Sequence, residues 1–170
     1  MLKHSLPPIL QVVGYKKSGK TTLICRLIEH YSATGLRIAC IKHDAHTFEP
    51  DVPQTDSWKQ RQSGAWMTAL MSPERTAWFA EREYKLEQMI DHMREADLIL
   101  IEGWKRANYP KLLLIQSADD IVLIHELSQV LAVITWNEAI REQLLNDTNV
   151  PVLHFNDLKS ILFTLETKLM

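Results

Sequence analysis

Lys20 and Thr21 close the stretch Gly14-Tyr15-Lys16-Lys17-Ser18-Gly19-Lys20-Thr21-Thr22, which fits the phosphate-loop spacing G-x-x-x-x-G-K-[ST]. The chemistry explains the residue types. Gly14 and Gly19 let successive backbone N–H groups turn inward, forming an anion-binding nest at a helix N-terminus. The Lys20 ammonium would reach the β- and γ-phosphates of a nucleoside triphosphate, and the Thr21 hydroxyl would ligate Mg²⁺. A second chemical group stands at the end of the aliphatic run Leu98-Ile99-Leu100-Ile101, which delivers Glu102 and Gly103. Many phosphate-loop proteins place a carboxylate there to hold Mg²⁺ near the γ-phosphate. Glu102 therefore joins Lys20 and Thr21 as a candidate catalytic and metal-binding residue. Asp97 begins the same strand at its far end, roughly 16 Å away at strand rise, too far to share that role.

These residues need a scaffold, and the patterning supplies one. Ile9-Leu10-Gln11-Val12-Val13 reads as a buried strand before the loop, and apolar residues at helical spacing over 22–31 predict a helix after it. Gly35 is placed to end that helix, and 36–42 reads as a second strand. Strand, helix, strand implies a parallel sheet with a right-handed crossover. Residues 43–55 show no periodicity, and a loop of that length leaving a strand's carboxyl end is a candidate ligand site. His43, Asp44, His46, Glu49 and Asp51 lie in it; they lack a paired ligand pattern for a transition metal, and holding Mg²⁺ or a second ligand fits them better. A short helix over 56–62 follows, with Thr55 or Asp56 as its cap. Residues 66–71 and 76–80 predict two strands around a Ser-Pro-Glu turn. Leu86, Met89, Ile90 and Met93 give one helical face. The aliphatic run over 97–103 predicts a central strand buried on both faces. A loop over 104–110 carries Lys105 and Arg106, which either touch phosphate or stay solvated. Strands are expected at 112–116 and 130–135, with a short peripheral one at 121–124. Asn137 should cap a helix carrying Ile140 and Leu144. A short strand at 152–153 and a terminal helix capped by Asn156 or Asp157 complete the chain.

The whole reads as one domain over residues 1–170: an α/β, phosphate-loop three-layer sandwich with a mostly parallel central sheet and helices on both faces. A formal net charge of −2 argues against broad attraction to nucleic acid or anionic membrane. The short apolar run near the N-terminus, broken by Pro7 and Pro8, is not a signal-peptide pattern. Cys25 and Cys40 are expected to be reduced packing residues of a cytoplasmic protein.

Three segments taken together resemble the molybdopterin-guanine dinucleotide biosynthesis adaptor proteins, the MobB family. They are the phosphate loop, Lys42-His43-Asp44-Ala45-His46 through Asp56-Ser57-Trp58, and Leu98-Ile99-Leu100-Ile101-Glu102-Gly103. The resemblance covers nearly the whole chain. It implies a GTP-binding, weakly hydrolytic homodimer that assists the guanylyltransferase joining GMP to molybdopterin. On that likeness Gly14, Lys17, Ser18, Gly19, Lys20, Thr21 and Thr22 would cradle the phosphates, and Glu102 would serve the Mg²⁺ region. His43, Asp44 and Asp56 would lie near the nucleotide or near delivered molybdopterin.

Where ordinary GTPases carry Asn-Lys-x-Asp to read guanine, this chain reads Thr135-Trp136-Asn137-Glu138. The residues themselves support a nucleoside triphosphate; GTP follows from the resemblance. A small metabolite kinase would want an arginine-rich lid, whereas Arg61, Arg75, Arg82 and Arg106 are scattered. A metal-inserting GTPase would use His43 and His46 as ligands, and a pure scaffold would bind nucleotide only for stability.

Overall fold

The computed structural model describes residues 6–44 and 48–169. In chain order the elements are β1 (Ile9–Val13), α1 (Lys20–Ala33), β2 (Ile38–Lys42), α2 (Asp56–Gln62), β3 (Met67–Met71), β4 (Thr76–Ala80) and α3 (Leu86–His92). There follow β5 (Leu98–Glu102), β6 (Lys111–Ile115), a 3-10 turn (Ala118–Ile121), α4 (Val122–Glu126), β7 (Val130–Thr135), α5 (Glu138–Asp147), β8 (Val152–His154) and α6 (Leu158–Lys168). The chain divides into a larger unit, up to His43 and from Ile90 onward, and a smaller one, Asp44–Met89.

In the larger unit six strands form one sheet in the order β2-β5-β1-β6-β7-β8, every neighbouring pair parallel. β1, β5 and β6 are buried at every position, as central strands covered on both faces must be. Alternation along the strands sorts their side chains into two cores. Leu10, Val12, Leu112, Leu114 and Ile134 pack with Leu23 and Leu27 of α1 and Ile161 and Leu165 of α6. Val13, Leu113, Ile115 and Val133 pack with Leu123 of α4 and Ile140 and Leu144 of α5. Helices thus cover both faces, and the expected three-layer α/β architecture is present. Each such aliphatic side chain contributes about 1.5–3 kcal/mol on burial. An exposed ion pair contributes under about 1 kcal/mol, so the two apolar layers hold the sheet.

α1 starts at Lys20, two residues before the predicted start, because Gly19 at φ +82 serves as its cap position. At its other end Gly35 adopts φ +88, and Leu36 N–H donates to the Tyr31 carbonyl at 3.2 Å, a left-handed stop that glycine favours. Asn137 and Asp157 cap α5 and α6, and Thr55 caps α2. Asp97, immediately before β5, is paired with Arg37 at 3.2 Å.

Two expectations fail. Residues 121–124 are not strand: the 3-10 turn runs into α4 there. Ser117 and Asp120 form a reciprocal capping box, with Asp120 accepting from Ser117 N–H at 3.1 Å, and it nucleates a helix through the aliphatic run. Cys25 and Cys40 are exposed rather than packed.

In the smaller unit β3 and β4 pair antiparallel, from Met67 opposite Ala80 to Met71 opposite Thr76. Among its described residues only Ser57, Thr68 and Leu86 are buried. Order comes instead from Arg61, whose side chain is 8% accessible and contacts Glu49 and Glu81 at 2.7 Å each and Asp51 at 3.6 Å. Its guanidinium also lies 5.1 Å over the Phe79 ring.

Candidate functional site

β1 is tethered at the sheet's centre and releases the chain at Gly14, which is buried and at φ +151. A Cβ there would meet the Leu114 carbonyl and the Ser18 hydroxyl, each at 2.7 Å, so the loop can turn only with glycine. The turn closes through Ser18 N–H on the Tyr15 carbonyl at 3.3 Å. Lys17 sits at φ +65, and the Gln116 amide holds its carbonyl at 2.8 Å. The loop is thereby wrapped before Lys20, with α1's N-terminus pointing into it.

Lys20 donates to the Tyr15 carbonyl at 2.7 Å, folding its amine over the loop. Burial lowers its pKa, Glu102 opposes that shift, and the charges of Lys105 and Lys42 add to it. The Thr21 hydroxyl hydrogen-bonds to both Glu102 oxygens, at 2.9 and 3.1 Å. Glu102 is 8% exposed and has Lys42 at 4.0 Å. Three sequence-predicted residues from two separate segments therefore converge at the carboxyl edge of β1 and β5, where open α/β sheets hold ligands.

The donor set fits a triphosphate with Mg²⁺. The Ser18 hydroxyl is fully buried and without a hydrogen-bond partner, as an oxygen-seeking donor in a phosphate cradle would be. A hydroxyl and a carboxylate in contact are the hard oxygen ligands that Mg²⁺ takes. Thr22 is exposed on the first turn of α1.

The other predicted residues are placed as follows. His43 follows β2, and its ring lies 4.5 Å from that of Trp104, in the loop after β5. Gly103 at φ +102 permits this approach, since a Cβ would stand 3.0 Å from His43 Cβ. Asp44 and Asp56 belong to the smaller unit, where Asp56 opens α2, 95% exposed and 3.9 Å from Lys59. His46 lies outside the described residues. Among the described residues no group of three His, Cys, Asp or Glu side chains is arranged to hold a metal ion.

Sequence reading missed several supports. Gln11, fully buried in β1, donates to the Gly103 and Trp104 carbonyls at 3.0 and 2.9 Å, fastening the segment after Glu102. A lone amide in an aliphatic strand was the available signal. Lys111, fully buried, donates to the Ala107 and Ser128 carbonyls at 2.9 and 2.7 Å and anchors the 104–110 loop. That loop brings Lys105 to 4.0 Å over the Tyr15 ring, adding a cation beside the phosphate loop.

Fold and loop together define an α/β protein of the phosphate-loop NTPase type. The family model described as "Molybdopterin guanine dinucleotide synthesis protein B" matches residues 9–136. The chain is 34% identical over 164 residues to a probable molybdopterin-guanine dinucleotide biosynthesis adapter protein of Bacillus subtilis, covering 93% of this chain and 91% of the relative. It is also 34% identical over 120 residues to the Escherichia coli adapter protein, covering 67% and 69%. The crystal structure of Bacillus subtilis MobB superposes with a TM-score of 0.78 at 32% identity, over 96% of this chain and 98% of that one. The chain belongs to the MobB family. No helix among the described residues is long and apolar enough to cross a membrane.

Proposed function

We propose that this protein is a GTP-binding adaptor of molybdopterin guanine dinucleotide biosynthesis, acting with the guanylyltransferase that joins GMP to molybdopterin. The observation that carries the nucleotide part is the convergence of Lys20, Thr21 and Glu102 at the mouth of a glycine-built, donor-lined loop. Backbone N–H groups of the loop and the Ser18 hydroxyl bind phosphate oxygens, and Lys17 and Thr22 flank them. Lys20 exchanges the Tyr15 carbonyl for the β- and γ-phosphates, whose charge stabilises its ammonium against burial. Thr21 and Glu102 would hold Mg²⁺, which would supply positive charge to offset that of the phosphates. By the family resemblance, His43, Asp44 and Asp56 serve in binding the nucleotide or the delivered molybdopterin.

Intrinsic hydrolysis is slow, about 10⁻⁴ to 10⁻² per second as for unaided phosphate-loop GTPases. Gln116, the amide beside the loop, is engaged on the Lys17 carbonyl rather than free to orient water. A basal turnover near one per second would contradict this.

The protein works as a homodimer in the cytoplasm, and residues 1–170 act as one nucleotide-binding module. The dimer is supported by the hairpin: Trp66 is 63% and Met71 81% exposed, with Leu70 and Trp78 also exposed. A two-stranded hairpin is marginal in water and gains from being covered. Reconstituting the guanylyltransferase with GTP and molybdopterin tests the adaptor role. Added protein should raise dinucleotide yield, and Lys20→Ala should not; equal yields with and without the protein would reject it.

A further inference from the structure

Trp136 directly follows β7 and Phe155 directly follows β8, so both stand at the carboxyl edge of the sheet. Their rings stack with centroids 4.0 Å apart and planes at 27°. Behind them Arg26 of α1 lies 5.3 Å over Phe155 and donates to the Phe155 carbonyl at 2.7 Å. Phe155 is enclosed, at 4% exposure, whereas Trp136 keeps 36% of its surface in solvent. The stack is pressed against the phosphate loop itself. A Cβ on Gly19 would run into Cη2 of Trp136 and stand 2.7 Å from its Cζ2, so Gly19 is required for this approach as well as for its φ of +82.

Two adjacent groups narrow the role. The Asn137 side-chain oxygen accepts from Ala139 N–H at 3.0 Å and Ile140 N–H at 3.3 Å, so it caps α5 and is occupied. Glu138 pairs with Arg141 at 3.1 Å. What the strand end offers a ligand is the aromatic surface, held rigid by Phe155 and Arg26 and placed at the rim of the loop that binds phosphate.

We infer that Trp136 is the platform on which the base of the bound nucleotide stacks. This rests on the nucleotide-binding reading above and adds the base contact to it. Every base has a π-face, so the platform supplies affinity rather than choice of base. The same ring cannot act on a ligand that has phosphates and no base.

The test measures GTP, ATP and inorganic tripolyphosphate binding, with Mg²⁺, to wild type, Trp136→Ala and Trp136→Phe. Stacking loss on this scale weakens binding roughly ten- to hundredfold. Trp136→Ala should weaken GTP and ATP by a similar factor in that range and leave tripolyphosphate within about twofold. Trp136→Phe should restore most of the affinity, and GTP should quench tryptophan fluorescence in wild type but much less in Trp136→Phe. An equal loss for tripolyphosphate would show that Trp136 only shapes the loop, and an unchanged GTP affinity would remove it from the site; either overturns the inference. Wild type binding neither GTP nor tripolyphosphate would instead defeat the phosphate-loop reading, and the platform with it.

Discussion

The larger unit buries all but one of the protein's buried hydrophobic residues among those described, whereas the smaller unit buries only Leu86. The two are ordered by different means. Around the phosphate loop two apolar layers fix the strands, and hydrogen bonds from Gln11, Gln116 and Thr21 fix the segments that leave them. Around the hairpin one guanidinium gathers three carboxylates, and large apolar side chains face outward. A ligand site that must hold oxygens at fixed positions belongs on the first kind of scaffold; a surface that awaits a second protein can use the other.

This contrast predicts that the two activities separate. Lys20→Ala should cost about hundredfold in GTP affinity, close to 2.7 kcal/mol, because it removes the charge that faces the phosphates. Its sedimentation should match wild type. Leu70→Asp with Met71→Asp should do the converse, raising the dimer dissociation constant at least about tenfold while GTP affinity stays within about twofold. Sedimentation of the wild type as a roughly 20 kDa species would refute the dimer outright. Arg61→Met should leave the carboxylates of Glu49, Asp51 and Glu81 without their shared cation. Limited proteolysis within 48–82 should then quicken, with tripolyphosphate binding unaltered.

The smallest effects are in pH, and they have opposite signs in the two units. The Arg61 hydrogen bond, followed by one from Asp51 N–H, holds Glu49 below the usual glutamate range. A carboxyl with a depressed folded pKa contributes stability above its unfolded value and loses it as pH falls through the folded one. Hydrogen exchange in the hairpin region should therefore quicken in acid before the larger unit responds. Lys20 is lowered mainly by burial. Bound phosphate favours its ammonium, so binding takes up a proton once free Lys20 begins to deprotonate. GTP affinity should fall as pH rises toward the ordinary lysine range, and more weakly in Lys20→Arg; calorimetry in buffers of different ionisation enthalpy reads the uptake.

How much of this was legible in the sequence follows from distance along the chain. Gly14 to Thr22 could be read because the loop's chemistry is local: the glycines, the lysine and the hydroxyl must fall at fixed spacing. Glu102 was legible because a doubly buried parallel strand announces itself as an aliphatic run, and its carboxyl end is where ligands sit. The strand-for-helix error at 121–124 arose because four aliphatic residues suit either state, and the decisive signal was the Ser117–Asp120 box before them. Exposure of Cys40 follows from β2 lying at the sheet's edge, an order that no single-chain pattern states. The Trp136–Phe155 stack on Gly19 joins three segments that only folding brings together.

The proposed function requires the phosphate loop to bind a guanine nucleotide through Lys20. Calorimetric titration of GTP and ATP, with Mg²⁺, into wild type and Lys20→Ala tests it most directly. GTP should bind at least about tenfold tighter than ATP, a gap of about 1.4 kcal/mol, with the affinity for both falling about hundredfold in the variant. Equal affinities, a preference for ATP, or GTP binding retained by Lys20→Ala would contradict it.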